Sequence, residues 1–272
     1  MKMTDKDFDK IRDFMLSSYG IDLSKKRVLV ESRLKQPAVR AGYESMEAYL
    51  ADVFKKQDMK QDMVTRLTTN FTFFMREDIH YDVLVNTALP KFLAESKMPI
   101  NLKVWSAGCS SGDEAYTAAI YLKEFQLKNP KLASFTIIAT DISDNALAAA
   151  KKGVYTAESL NKLDPMFRKK YFTEIGPDQF KVSTELSSKV QFSQFNLMNP
   201  FPYNLTNFDI IFCRNVMIYF TPEIRKNLGK KYMQALKPGG YLFIGLSESL
   251  PAAQIGLTQV RPAIFLREKD AK

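Results

Sequence analysis

Apolar residues in the first quarter of the chain recur at helical spacing. Phe8, Ile11 and Met15 fall on one face, Thr4 with Asp7 three residues on forms a capping-box start, and Gly20 marks the end. A second helix is predicted from Lys25, with Ser24 able to cap it, bent or stopped near Pro37. A third follows Ser45, with Met46, Tyr49, Leu50, Val53 and Phe54 at i, i+3, i+4, i+7 and i+8; a short fourth runs through Met63, Val64 and Leu67. From about residue 100 the period changes. The runs LKVWSAG, FTIIATDI, VQFSQFNL, FDIIFCRN and GYLFIGLS alternate mostly with longer helical or mixed stretches. Such alternation predicts an α/β fold, an open and largely parallel sheet with helices on both faces. Residues 153–189 break the rhythm: 161–172 is predicted helical, and TEIGPDQFKV a hairpin turning at Gly176-Pro177-Asp178. The expected organisation is a helical domain at 1–70, a linker and leading helix at 71–99, and a sheet domain at 100–272 with an inserted subdomain at 153–189.

Charge narrows the partners without choosing one. Lys and Arg number 39 against 30 Asp and Glu, a net +9 that favours an acidic protein, nucleic acid or a membrane surface. The two cysteines, Cys109 and Cys213, suggest no disulfide framework, and the single His80 argues against a His/Cys zinc site or a Ser-His-Asp triad. Chemistry here is expected from a cofactor, with no metal. No apolar run approaches the ~18 residues of a membrane span, and the start MKMTDKDFDK is no signal peptide, so a cytoplasmic chain without membrane insertion is expected.

The strongest local feature is VWSAGCSSGDE at 104–114, a strand running into a glycine-containing turn and then a helix. Glycines let the backbone approach a ligand, as in nucleotide-binding βα turns. The spacing is Gly-x-x-x-Gly, however, and Asp113 and Glu114 would repel a pyrophosphate at that helix start. Acid there suits a cationic ligand such as the ammonium or sulfonium of S-adenosylmethionine; taken alone, it equally suits two acids opposing a helix dipole. Asp141 ends the second strand, where α/β folds bind ribose hydroxyls, though it stands farther from Gly112 than the usual spacing of about 20 residues. It could instead cap the next helix, a role Ser143 fills equally well. Asn196, ending the third strand, could accept from an adenine amino group or simply make a turn.

Two further segments, TNFTFFMRE at 69–77 and CRNVMIYF at 213–220, resemble signatures of the CheR family of chemoreceptor glutamate methyltransferases. WSAGCSSGDEAYT, ATDIS, FNLMNPF and GYLFIGLSESL are similar to its remaining blocks, in the same order. The resemblance implies a helical N-terminal domain joined to a Rossmann-like S-adenosylmethionine methyltransferase sheet carrying a small β-subdomain. It implies cofactor contacts at Asn70, Thr72, Arg76, Glu114, Asp141, Asn196, Leu197, Arg214 and Asn215. The chain departs from the family's frequent Glu-Glu-Pro-Tyr at Asp113-Glu114-Ala115-Tyr116, and reads Phe74-Met75-Arg76 for Phe-Phe-Arg. Neither change removes a matched charged or hydrogen-bonding group.

The implied reaction fits the residue types. A surface glutamate, with a pKa near 4.3, is already an ionised nucleophile at neutral pH, so no general base is needed. Arg76 can fork with a carboxylate, either the cofactor's or the substrate's, and Tyr219 can orient the acceptor; these two are the expected catalytic residues. Asn215-Val216-Met217-Ile218-Tyr219 lacks the prolines that cradle an amine in base-methylating enzymes. Phe71, Phe73 and Phe74 suit either adenine stacking or plain core. Residues 25–40 hold six basic residues against Glu31 alone, and Lys26, Arg33 and Arg40 recur every seven residues, a stripe able to dock acidic receptor helices or merely to face solvent. A nucleic-acid methyltransferase and a cofactor-binding adaptor without turnover are the rival classes. The hairpin TEIGPDQFK is shorter than in family members that grip a receptor's C-terminal pentapeptide, so a tether-independent enzyme is predicted.

Overall fold

A computed structural model describes residues 1–68 and 70–269; Thr69 and the expected end of the sheet domain, 270–272, lie outside the described residues. Four helices come first: α1 (Asp5–Tyr19), α2 (Arg27–Arg40), α3 (Met46–Lys55) and α4 (Gln57–Leu67). Thr4 and Asp7 complete the capping box of α1, and Gly20 closes it in the left-handed region at φ 71°. Ser45 caps α3 by accepting from Ala48 N. The second helix differs from expectation at both ends. Ser24 does not cap it: its N–H turns back to Asp22 Oδ1 at 2.9 Å, which delays the helix to Arg27. Pro37 neither stops nor ends it. The ring sits in the last turn, where buried Leu34 and Ala38 hold the helix against the missing hydrogen bond.

After α5 (Ile79–Val83), a π-helical turn (Leu84–Ala88) and α6 (Leu89–Glu95), the chain enters the sheet. The succession is β1 (Ile100–Ala107), α7 (Asp113–Lys128), β2 (Leu132–Asp141), α8 (Asp144–Lys152), β3 (Val154–Tyr155), α9 (Pro165–Tyr171), β4 (Phe172–Gly176), β5 (Gln179–Val182), α10 (Thr184–Ser187), β6 (Val190–Gln194), β7 (Phe208–Cys213), α11 (Pro222–Ala235), β8 (Leu236–Ile244), α12 (Ala252–Ile255), β9 (Thr258–Arg261) and β10 (Ile264–Leu266). Seven strands form the main sheet in the order β6-β2-β1-β7-β8-β10-β9; β6 through β8 are parallel, and β10 and β9 add antiparallel at one edge. β3, β5 and β4 make the small inserted sheet, with Asp178 at φ 52° in its hairpin turn. The helix expected over 161–172 is shorter, because Asp164 accepts from Met166 N and starts α9 only at Pro165.

Alternation along the strands sends one set of side chains to each face. Trp105, Ile211 and Leu242 join a core that includes α1–α4 and α11, while Val104, Ile210, Phe212 and Phe243 join a second one with α7 and the inserted subdomain. β7 is buried at every position, as a central parallel strand should be. Strand order reverses between β1 and β7, so loops diverge there and open a crevice at the strands' C-terminal ends. Among the described residues no helix is long and apolar enough to cross a membrane.

Candidate functional site

The crevice encloses about 1040 Å³, part of it open to solvent. Every residue expected to contact a cofactor lines it: Asn70, Thr72 and Arg76 from the segment after α4; Glu114 at the start of α7; Asp141 at the tip of β2; Asn196 and Leu197 after β6; Arg214 and Asn215 after β7. Tyr219 lines it too. The floor is the turn from β1 to α7. Gly108 runs at φ 88°, and a Cβ there would fall 2.4 Å from Val216 Cγ2, so only glycine lets the two strand-end loops meet. Asp113 does not reach the crevice; it is buried and accepts from Ser111 Oγ at 2.6 Å.

Asp141 holds the turns on both sides of it. Oδ2 accepts from Ser110 N at 2.8 Å and Oδ1 from Ser143 N at 2.9 Å, while Ser143, not Asp141, caps α8 through Ala146 N. Burial pushes its carboxyl up and the backbone donors oppose that. Each oxygen keeps capacity for a further donor. Asn196 is more committed: Nδ2 donates to Ser18 O at 2.8 Å and Oδ1 accepts from Met198 N at 2.9 Å, bracing the end of α1 to the turn after β6.

Arg214 is the electrostatic centre. Only 6% exposed, it meets Glu114 Oε2 at 3.1 Å, Glu77 Oε2 at 3.3 Å and Tyr81 Oη at 3.3 Å, and donates to the Arg76 carbonyl. Glu77 also accepts from Asn215 Nδ2 and Leu246 N, each at 3.2 Å. Burial pushes Glu77 up, but Arg214, Asn215 and Leu246 outweigh it and the net shift is down. For Glu114 burial prevails over Arg214 and the Ser106 hydroxyl, and its carboxyl is raised. Glu114 and Glu77 share the Arg214 guanidinium, and the charged groups that line the crevice are Glu114, Asp141, Arg76 and Arg214.

Under this network lies His80, fully buried, with Nδ1 3.6 Å from Glu77 Oε2 and neither nitrogen hydrogen-bonded. Burial, aided by Arg214, pushes it from 6.5 down to about 4. The unfolded chain therefore takes up this proton first as pH falls. The stability tied to neutral His80 is fully present above about 6.5 and is lost as pH falls toward about 4. Between pH 7.5 and 5 the loss should be about 2 kcal/mol. Denaturant unfolding of wild type and His80→Leu at both pH values checks this: the pH difference should shrink by that amount in the variant, and an equal difference in both would remove His80 as its source.

Arg76 is half-buried beside Phe71 and Phe73, its Cζ 5.9 and 5.8 Å from their ring centroids, and NH1 donates to Phe71 O at 2.8 Å. Among the described residues no carboxylate pairs with it. The phenylalanine run splits: Phe71 (68% exposed) and Phe73 line the crevice, while Phe74 packs in the core against Tyr155 and Phe172. The basic stripe lies on α2, outside the crevice lining. Lys26 and Arg40 are exposed, but Arg33 is occupied, donating to the carbonyls of Arg66 and Thr68 at 2.8 and 2.7 Å.

Glu77, Glu248, Ser106 and Ser110 were not singled out by sequence. The two glutamates stand inside recognisable blocks, yet nothing in their spacing separates a buried glutamate from a solvated one. Tyr19 and Ile21, which close the crevice from the end of α1, carry no sequence signal beyond an apolar helix end.

Comparison with known proteins agrees with this geometry. A family model described as CheR methyltransferase, SAM binding domain, matches residues 70–264. With the switch-point crevice, the match defines the class: an S-adenosylmethionine-dependent methyltransferase. A second model, CheR methyltransferase, all-alpha domain, matches residues 6–68, and the chain belongs to the CheR methyltransferase family. It is 36% identical to a chemotaxis protein methyltransferase of Borreliella burgdorferi, covering 97% of this chain and 95% of that one. Chemotaxis protein methyltransferase 1 of Pseudomonas aeruginosa is 34% identical (99% and 100% covered), and that of Vibrio cholerae 36% (98% and 98%). The resemblance and the fold class expected from sequence both hold, and the activity is methylation in chemotaxis.

Proposed function

We propose that the protein transfers a methyl group from S-adenosylmethionine to glutamate side chains of chemoreceptors, giving glutamyl methyl esters. The observation that carries the reading is Arg76: a guanidinium in the crevice wall, beside two phenylalanine rings, with no carboxylate partner among the described residues. An incoming carboxylate would complete it with a fork of two hydrogen bonds.

The crevice suits the cofactor. Asp141 would hold the ribose hydroxyls, Glu114 would supply negative charge for the cofactor's ammonium group, and Phe71, Phe73 and Leu197 give apolar walls. When bound, S-adenosylmethionine supplies a methyl carbon on a positively charged sulfur. Arg76 fixes the acceptor carboxylate in line, Tyr219 in the crevice lining orients it, and the rings exclude water that would solvate the separated charges. No proton moves, so no general base is required. Incubation with methyl-labelled S-adenosylmethionine and receptor should give base-labile label on receptor. Stable label on RNA or DNA, or binding without transfer, would refute the reading.

The helical region is assigned to docking of the receptor's acidic cytoplasmic helices. With Arg33 spent on carbonyls, Lys26 and Arg40 remain as the exposed charges of the stripe, and Lys25 and Lys35 are exposed elsewhere in the same segment. Reversing Lys26 and Arg40 should slow receptor methylation several-fold while leaving cofactor affinity unchanged, and wild-type activity should fall as salt screens the field over ~8 Å. Normal activity of the reversed variant at low salt would make the stripe a solvated face. The inserted sheet presents a hairpin of only five and four residues in β4 and β5, which supports the tether-independent reading. The receptor's C-terminal pentapeptide, titrated calorimetrically, should show no saturable binding at micromolar concentration; saturation there would refute it.

A further inference from the structure

Behind the crevice wall, outside its lining, Glu248 is buried with 7% of its surface exposed. Its Oε2 accepts from Gly245 N at 2.6 Å and Asn215 N at 3.1 Å, and its Oε1 from Ile218 N at 3.1 Å. All the partners are backbone donors on the two strand-end loops, after β7 and after β8. The loop it grips is unusual: Asn215 stands at φ 58°, and a 3-10 turn, Met217–Tyr219, follows at once. The approach is close enough that a Cβ on Gly245 would fall 2.7 Å from Asn215 Nδ2. A carboxylate is the one side chain that presents two acceptor oxygens with no donor, so it alone satisfies three N–H groups converging on it.

We propose that Glu248 is a positioning residue for methyl transfer, setting Asn215 and Tyr219 in the crevice wall by holding the backbone of the loop that carries them. The inference rests on the reading of Tyr219 as the residue beside the acceptor. Its two oxygens divide the work. One fixes Asn215, next to the cofactor-facing Arg214, and the other fixes the turn ending at Tyr219.

Glu248→Gln separates these functions. The amide oxygen can retain Asn215 and Gly245, which leaves an NH2 group facing Ile218 N–H, donor against donor. Cofactor affinity should then stay within about threefold while turnover falls about tenfold or more. In hydrogen exchange the amides of residues 218–220 should lose protection. In a Tyr219→Phe background the same substitution should cost about threefold or less, because both act through one group. Glu248→Asp, which keeps the charge but shortens the reach, should show the same split. Wild-type turnover in E248Q, fully additive costs in the double variant, or loss of fold in both E248Q and E248D would overturn the proposal. If wild-type protein binds S-adenosylhomocysteine but labels no receptor, the glutamate reading fails instead, and protection at 218–220 with cofactor affinity still decides whether Glu248 holds the turn.

Discussion

Replacing Arg214 with methionine should destabilise the fold by about 3–5 kcal/mol and abolish measurable cofactor binding. The reason is what the guanidinium leaves behind. Among the described residues Glu77 would keep Asn215, the Leu246 N–H and nearby His80, and Glu114 the Ser106 hydroxyl, to offset their charge. Such a cost is the penalty of uncompensated burial and exceeds the net worth of the intact pairs. Adding Glu114→Gln to the variant should therefore recover part of the stability, and lowering the pH should narrow the gap to wild type as the stranded carboxyls take up protons. Denaturant titration at two pH values measures both. A variant within 1 kcal/mol of wild type would show that the network contributes little.

Asp141→Ala is expected to weaken S-adenosylhomocysteine binding by roughly 1–3 kcal/mol, the cost of a charge-assisted hydrogen bond. Read from sequence, the change should leave the fold untouched; the structure adds a second cost. Ser110 N and Ser143 N would both lose their acceptor in a buried turn, at about 1–3 kcal/mol for each donor left unsatisfied. Asp141→Asn keeps one acceptor oxygen and should fall between. Calorimetry on folded protein beside thermal unfolding separates the two effects, and unchanged affinity in folded D141A would remove Asp141 from the ligand site.

How much of this could be read in advance depended on whether a residue's neighbours were local. The capping box at Thr4, the Ser45 cap, the hairpin at Asp178 and the five parallel strands each rest on patterns within a few residues, and each was legible. β9 and β10 were not: they are short, and β9 is exposed along its length, so neither alternates. The crevice lining followed from the family blocks, because strand tips are marked by sequence. What decides a polar residue's duty there is its partner in three dimensions. Arg33 reads as one charge of a stripe, but carbonyls 33 and 35 positions further on occupy it. Glu248 likewise sits in a block that sequence recognises, while two of its three donors lie 30 and 33 positions earlier.

The crevice has walls from both parts of the chain. Tyr19, Ile21 and Leu67 close it from the helical region, and Gly108, Asp141 and Asn215 from the sheet. The same seam is stitched by Gln61 Nε2 to Ile142 O, Asp22 N to Tyr219 O and Asn196 Nδ2 to Ser18 O, over a core cluster running through both sides. Anything bound there acts as a strut across the seam. At a hundredfold excess over Kd, binding adds about 2.7 kcal/mol to the stability of the folded chain. In the docking role proposed for it, the helical region thus has its hold on the sheet strengthened while cofactor or product is in place.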